Sequence, residues 1–227
     1  MSSETRRAVA ELLGTFGLVF FGAGAVVTSG TGGFGLLGVA LVHAIVLSVM
    51  ISATMGVSGG HLNPAVTLGF LATRRIDGKN AVIYIVAQLI GAALAGLAIK
   101  ALLPAPMVRA SIAGTPQLAG TLTVPLAIGM EALLTFFLVS AVFGTCVNPD
   151  APKIGGFGIG LTLFFDIMVG GPFTGAAMNP ARAFGPALTS GVWTSQAVYW
   201  IGPIIGGVVA ALLWDKVILA KRSDQTA

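Results

Sequence analysis

Two stretches decide how this chain folds: Ser58-Gly59-Gly60-His61-Leu62-Asn63-Pro64-Ala65-Val66-Thr67 and Gly175-Ala176-Ala177-Met178-Asn179-Pro180-Ala181-Arg182-Ala183-Phe184-Gly185-Pro186. Each contains Asn-Pro-Ala. Asn is a favoured helix N-cap because its side-chain oxygen accepts a free backbone N–H. Pro is favoured at the first helical position, where its missing N–H costs nothing. Each motif therefore predicts a helix start. Before each lies a Gly-rich stretch that reads as non-helical, residues 58–62 and 170–175. After each comes a short apolar run, residues 65–72 and 181–188. These runs are too brief to cross a bilayer, which takes about 20 residues.

The surrounding chain is built for lipid. Of its 227 residues 56% are apolar and only 9% charged, with mean hydropathy +0.95. A soluble domain carries roughly 25% charged residues. Six stretches are long and apolar enough to span: residues 8–28, 35–57, 80–103, 124–147, 154–172 and 195–219. The first contains Glu11 and no small-residue cleavage site, so it is expected to be a span and not a signal peptide. The net charge of +4 does not point to nucleic acid, because the basic residues form no dense patch and sit at the ends of apolar runs. Cys146 is the sole cysteine, which excludes an internal disulfide and any thiol metal site. No metal or cofactor site is expected. Nor is an enzyme, since no nucleophile, base and orienting group can be assembled from two His and one Cys.

The halves of the chain repeat. Glu11, Thr15 and Phe16 recur 120 residues later as Glu131, Thr135 and Phe136. Asn63-Pro64-Ala65 recurs 116 residues later as Asn179-Pro180-Ala181. Each half holds three spans, so the second must enter the membrane from the opposite side. The expected fold is all-α: six transmembrane helices plus two re-entrant half-helices in an inverted repeat. Residues 1–227 form one domain, with repeats at about 8–103 and 124–219. The half-helices should then meet tip to tip near the midplane. Irregular backbone is tolerated there only if it is buried or lines a watery cavity. Two helix N-termini, each worth roughly half a positive charge, repel a cation at that point. Each Asn, its oxygen held by capping, can donate from its NH2 to a passing oxygen. Water polarised outward from the centre cannot relay a proton straight through.

These motifs, in these places, resemble the aquaporin or major intrinsic protein family over essentially the whole length. The resemblance implies a homotetramer with one pore per protomer. It also implies a four-residue filter, carried over by spacing from the motif asparagines: His43, Ile167, Ala176 and Arg182. Arg182 is always charged and offers five donors, which suits repelling cations and binding oxygen. The set is similar to that of some plant tonoplast intrinsic proteins. The expected function is a passive channel for water, with ammonia or urea as further neutral solutes, that excludes protons and ions. Glycerol is the alternative, though family glycerol facilitators place Asp where Ala183 stands. In the family, acids such as Glu11 and Glu131 brace the re-entrant loops, and His61 is expected to fix the first loop.

Asp166 departs from this pattern, and either pairing with a neighbouring helix or tuning His43 would account for it. As an intramembrane acid it also keeps open a coupled secondary transporter, while a junction protein with little permeability is a third reading. Small residues such as Gly91 and Gly96 are expected to let helices pack closely. The long connection at residues 104–123 holds no His that could join the filter. Nine basic residues, among them Arg6, Arg7, Arg74, Arg75 and Lys221, fall on the side of the termini; only Lys100 and Arg109 fall on the other, with Arg182 inside. The positive-inside rule puts both termini in the cytoplasm. The plasma (inner) membrane is the expected location, and the polar tail 221–227 is expected to be disordered.

Overall fold

A computed structural model describes residues 1–219. Among these there is no β-strand, and six helices are long and apolar enough to span a membrane. In chain order the helices are α1 (Ser3–Gly32), α2 (Gly35–Ser58), α3 (Pro64–Ala72), α4 (Gly78–Leu102), α5 (Ala105–Ala110), α6 (Val124–Val142), α7 (Phe157–Thr174), α8 (Pro180–Ser190) and α9 (Val198–Leu213). Single π turns extend α6 through Val147 and α9 through Ile218. Helices α3 and α8 are the two half-helices. Large apolar side chains face outward, Leu37, Leu97, Phe157 and Leu161 among them, each more than half exposed. In water such a surface would drive association; in lipid it is matched to its solvent.

The packing exchanges one half for the other. Helix α1 packs on α2 and α4, and α6 packs correspondingly on α7 and α9. Helices α2 and α7 face each other across the middle. The half-helices cross over: α3 packs chiefly on α9 and α8 chiefly on α4. Each half thus inserts its short helix into the other, and neither buries its own motif alone. The contact of α8 with α4 requires small residues. A Cβ on Gly96 would stand 2.6 Å from the Gly185 carbonyl oxygen.

Helix boundaries differ from expectation in three places. Helix α1 begins at Ser3 because Ser2 Oγ accepts the Thr5 N–H at 3.2 Å and caps it. Helix α7 runs through Gly170, Gly171 and Pro172 to Thr174, where a non-helical stretch was expected. Pro172 removes only one donor, and the turn closes at Gly175 (φ 78°), whose N–H reaches the Gly171 carbonyl. Likewise Ser58 ends α2 and does not open the loop; Gly59 (φ 91°) is the cap. Lys221, Arg222 and the rest of the polar tail lie outside the described residues.

Candidate functional site

Each re-entrant loop is held by a buried glutamate. Glu11 Oε1 accepts Ser58 Oγ at 2.6 Å and the His61 N–H at 3.0 Å, while Oε2 accepts the Leu62 N–H and Gln88 Nε2, each at 2.7 Å. Glu131 Oε1 accepts Thr174 Oγ1 at 2.6 Å and the Ala177 N–H at 3.0 Å, and Oε2 accepts the Met178 N–H at 2.7 Å. Both carboxyls are fully buried, and these donors offset what would otherwise be a large desolvation cost. Two tyrosines complete the symmetry: Tyr84 Oη donates to Ser58 O at 2.7 Å and Tyr199 Oη to Thr174 O at 2.8 Å. Sequence reading missed Tyr84, Tyr199 and Gln88, although the two tyrosines stand 115 residues apart, near the repeat offset. Gln88 has no mate, and the second glutamate correspondingly has one donor fewer.

The motif asparagines cap as expected. Asn63 Oδ1 accepts the Ala65 N–H at 2.9 Å, and Asn179 Oδ1 accepts the Ala181 and Arg182 N–H groups at 3.0 and 3.3 Å. Their amides do more than expected. Asn63 Nδ2 donates to Met178 O at 2.9 Å and Asn179 Nδ2 to Leu62 O at 2.8 Å. Leu62 and Met178 both sit at φ 50°, a conformation uncommon for such residues. The two loops are therefore sewn to each other. An NH2 group has two N–H bonds, so one of each remains for the cavity beside it.

That cavity has a volume of about 30 Å³ and is bordered by both asparagines. A water needs roughly 10–15 Å³ of such space, so the lumen has room for about two or three waters. Leu47, Ile51, Val66, Leu138, Ile159 and Leu163 give it an apolar wall, with His43, His61 and the loop backbone opposite. Pro64 and Pro180 are the first residues of the half-helices, and Ala65 and Ala181 follow them, all four buried. Their N-terminal ends face the same lumen. His61 Nδ1 lies 3.1 Å from Thr67 Oγ1, whose proton goes to Asn63 O at 3.1 Å, so Nδ1–H is the donor. Phe70 packs against the His61 ring at 4.3 Å between centroids.

The four residues expected to form a filter gather at the end of the lumen away from the termini. His43 and Arg182 border both the lumen and a vestibule of about 380 Å³; Ala176 borders the lumen and Ile167 the vestibule. His43 Nδ1 lies 2.8 Å from Val39 O, which can only accept, so Nδ1 carries a proton and donates it there. The ring fits because α1 has Gly22 beside it: a Cβ there would lie 2.6 Å from Nε2. Arg182 Nη1 donates to Gly114 O at 3.1 Å. Gly114 belongs to the 104–123 connection, which dips inward through a left-handed turn, Ile112 (φ 51°), Ala113 (φ 54°) and Gly114 (φ 75°). Nothing in the local sequence pattern marks Gly114 or Gly22 as part of the site.

Asp166 borders neither space. It is buried, makes no ion pair, and its Oδ2 has no hydrogen-bond partner among the described residues. His43 bonds instead to Val39. Among the described residues no three His, Cys, Asp or Glu side chains lie together as metal ligands would.

A family model described as Major intrinsic protein matches residues 1–214. The chain belongs to this family. It is 46% identical to Aquaporin TIP4-4 of Zea mays over 97% of this chain and 89% of the relative. It is 44% identical to Probable aquaporin TIP3-2 of Arabidopsis thaliana over 96% and 86%. Among solved structures it resembles the X-ray structure of the aquaglyceroporin from Plasmodium falciparum, with TM-score 0.84, 26% identity, and coverage of 95% of this chain and 97% of that one. The membrane-embedded, multi-pass, all-helical fold expected from the sequence is therefore the family's own.

Proposed function

We propose that the chain is a passive water channel that also passes ammonia-sized neutral solutes and excludes protons and ions. The carrying observation is a lumen with room for only a few waters, lined by both Asn63 and Asn179, which cap the N-terminal ends of the two half-helices. Each Asn keeps one N–H for a water oxygen, and the half-helix dipoles oppose a cation there. A water at that point turns its hydrogens outward, so a proton relay is broken in the middle. His43, Ile167, Ala176 and Arg182 act as the filter, and Glu11, Glu131 and His61 hold the loops. The aliphatic Ile167 and small Ala176 leave that opening less polar, which favours ammonia over ions. Residues 1–227 act as one domain of two repeats, about 8–103 and 124–219.

Relatives named as aquaporins support this reading. The likeness to an aquaglyceroporin gives the fold, and a lumen of only about 30 Å³ does not favour glycerol over water. A coupled transporter would need an acidic site for its coupling ion in the lumen, and Asp166 is outside it. The test is stopped-flow light scattering on proteoliposomes, followed by ammonia, urea, glycerol and proton entry. Fast shrinkage without proton entry is expected. Shrinkage no faster than in protein-free vesicles, or flux that follows a proton or sodium gradient, overturns the reading.

We also propose a homotetramer, which molar mass by light scattering in detergent would measure. The excess of basic residues on the face of the termini supports a cytoplasmic location for both ends. The expected plasma membrane gains no support from relatives bearing the TIP name, and subcellular fractionation assigns the compartment.

A further inference from the structure

Lys100 and Arg109, the two basic residues on the face opposite the termini, line the same pocket. The pocket has a volume of about 390 Å³. It lies between the end of α4, helix α5, the Ile112–Gly114 turn and the last turn of α8. Both side chains are exposed, and neither makes an ion pair or side-chain hydrogen bond with any described residue. The other face behaves differently: there Arg75 and Lys216 pair with Asp215 at 2.8 and 3.0 Å, and Lys79 pairs with Glu4 at 2.8 Å. Opposite the termini no described carboxylate is exposed, since Glu131 and Asp166 are buried.

Two uncompensated cations in one pocket repel each other. The C-terminal ends of α4 and α5, where Lys100 and Arg109 sit, offset them only in part, each end being worth roughly half a charge. The pocket is also amphipathic. Thr189 and Ser190 bring hydroxyls to one side, and Ala105, Val108 and Ile112 make the other apolar. Exposed Leu97 on α4 and Leu188 on α8 precede Lys100 and Thr189 on the side toward the membrane interior. An occupant of this site needs a negative head and an apolar tail, and it must sit at membrane depth.

We propose that the pocket binds the phosphate of an anionic phospholipid from the surrounding leaflet. Lys100 and Arg109 supply the charge, Arg109 adding planar two-point recognition of phosphate oxygens, and the acyl chains lie along the exposed leucines. Each such basic residue contributes about fivefold in affinity, and the pair about 30-fold. The test is native mass spectrometry of the detergent-solubilised protein with phosphatidylglycerol or phosphatidylcholine added. The expected result is preferential retention of phosphatidylglycerol, falling about 30-fold in K100Q/R109Q and by a similar factor in K100E, which changes the pocket's charge by the same two units. It should be unchanged in K153Q, an exposed cation on the other face. Melting curves for each variant, with each lipid, control for folding. Equal retention by wild type and K100Q/R109Q overturns the proposal. So does a loss of stability that is the same in both lipids, which is what a role confined to the helix ends would produce. Displacement of the lipid by excess inorganic phosphate would mean that the site takes a free anion, and overturns it as well.

Discussion

Replacing Gly22 by Ala tests whether His43 sets the width of the lumen. The new methyl would stand 2.6 Å from His43 Nε2 and 2.7 Å from Cδ2. To reach the 3.4 Å of an ordinary contact, the ring or α1 must give by about 0.8 Å. Overpacking of this kind costs about 1–3 kcal/mol. If α1 yields, the cost appears as lost stability. If the ring yields, it moves into the lumen of only about 30 Å³ that it helps to line. Each passing water must then push the ring back, which slows transport roughly 5- to 150-fold for the same 1–3 kcal/mol. The ring is the softer side, since it is tied by one hydrogen bond to Val39 while α1 is packed along its length. The expected result of stopped-flow shrinkage is therefore at least a fivefold loss of water permeability per protein chain with little change in melting. H43A/G22A should recover the permeability of H43A, because the added methyl then meets no ring. Wild-type permeability and melting in G22A would refute the reasoning, and so would equal losses in G22A whether or not His43 is present.

Other expectations follow from the same geometry. E131Q must place an NH2 against either the Ala177 or the Met178 N–H, orphaning one buried donor at a cost of about 1–3 kcal/mol; E131A orphans both, plus Thr174, and should melt lower still in differential scanning fluorimetry. R182V removes the only full charge bordering the lumen and leaves Gly114 O without its donor. Cation or proton leak, read with a pH dye in proteoliposomes, should rise on the order of tenfold or more. D166N removes a buried unpaired carboxyl outside the lumen, so water permeability should stay within about twofold and melting should be equal or higher. Outside the membrane, the Asn80 N–H holds the Asp77 carboxyl below its ordinary range. The cap it gives to α4 is complete at neutral pH and is lost as pH falls through that lowered value. Amide exchange at the start of α4 should rise only in strong acid in the wild type, and at neutral pH in D77A.

The elements most legible in the sequence were those written in local chemistry. Six spans follow from apolar length, and the half-helix starts from Asn at the cap and Pro after it. The inverted repeat shows in residue spacing, as Glu11 and Glu131 illustrate. The end of α7 was misread because Gly170, Gly171 and Pro172 are breakers by propensity, yet tertiary packing and the Gly175 cap carry the helix through them. Gln88, Tyr84 and Tyr199 were missed because each reaches its loop from a helix far along the chain, where no periodic pattern reports a polar partner.

By itself the sequence determined that the chain lives in lipid, that its halves face opposite ways, and where its two motifs begin their helices. These are properties of short segments and of their solvent, so local residue chemistry suffices to specify them. Only the tertiary structure decided that the asparagines would be shared between lumen and opposite loop. The same holds for Gly114, 68 residues from Arg182, which supplies its acceptor, and for Gly22, which makes room for His43. It also holds for Lys100 and Arg109, which come to share one pocket. Each of these depends on the shape left between helices once they are packed, and that shape is a sum over contacts distant in the chain.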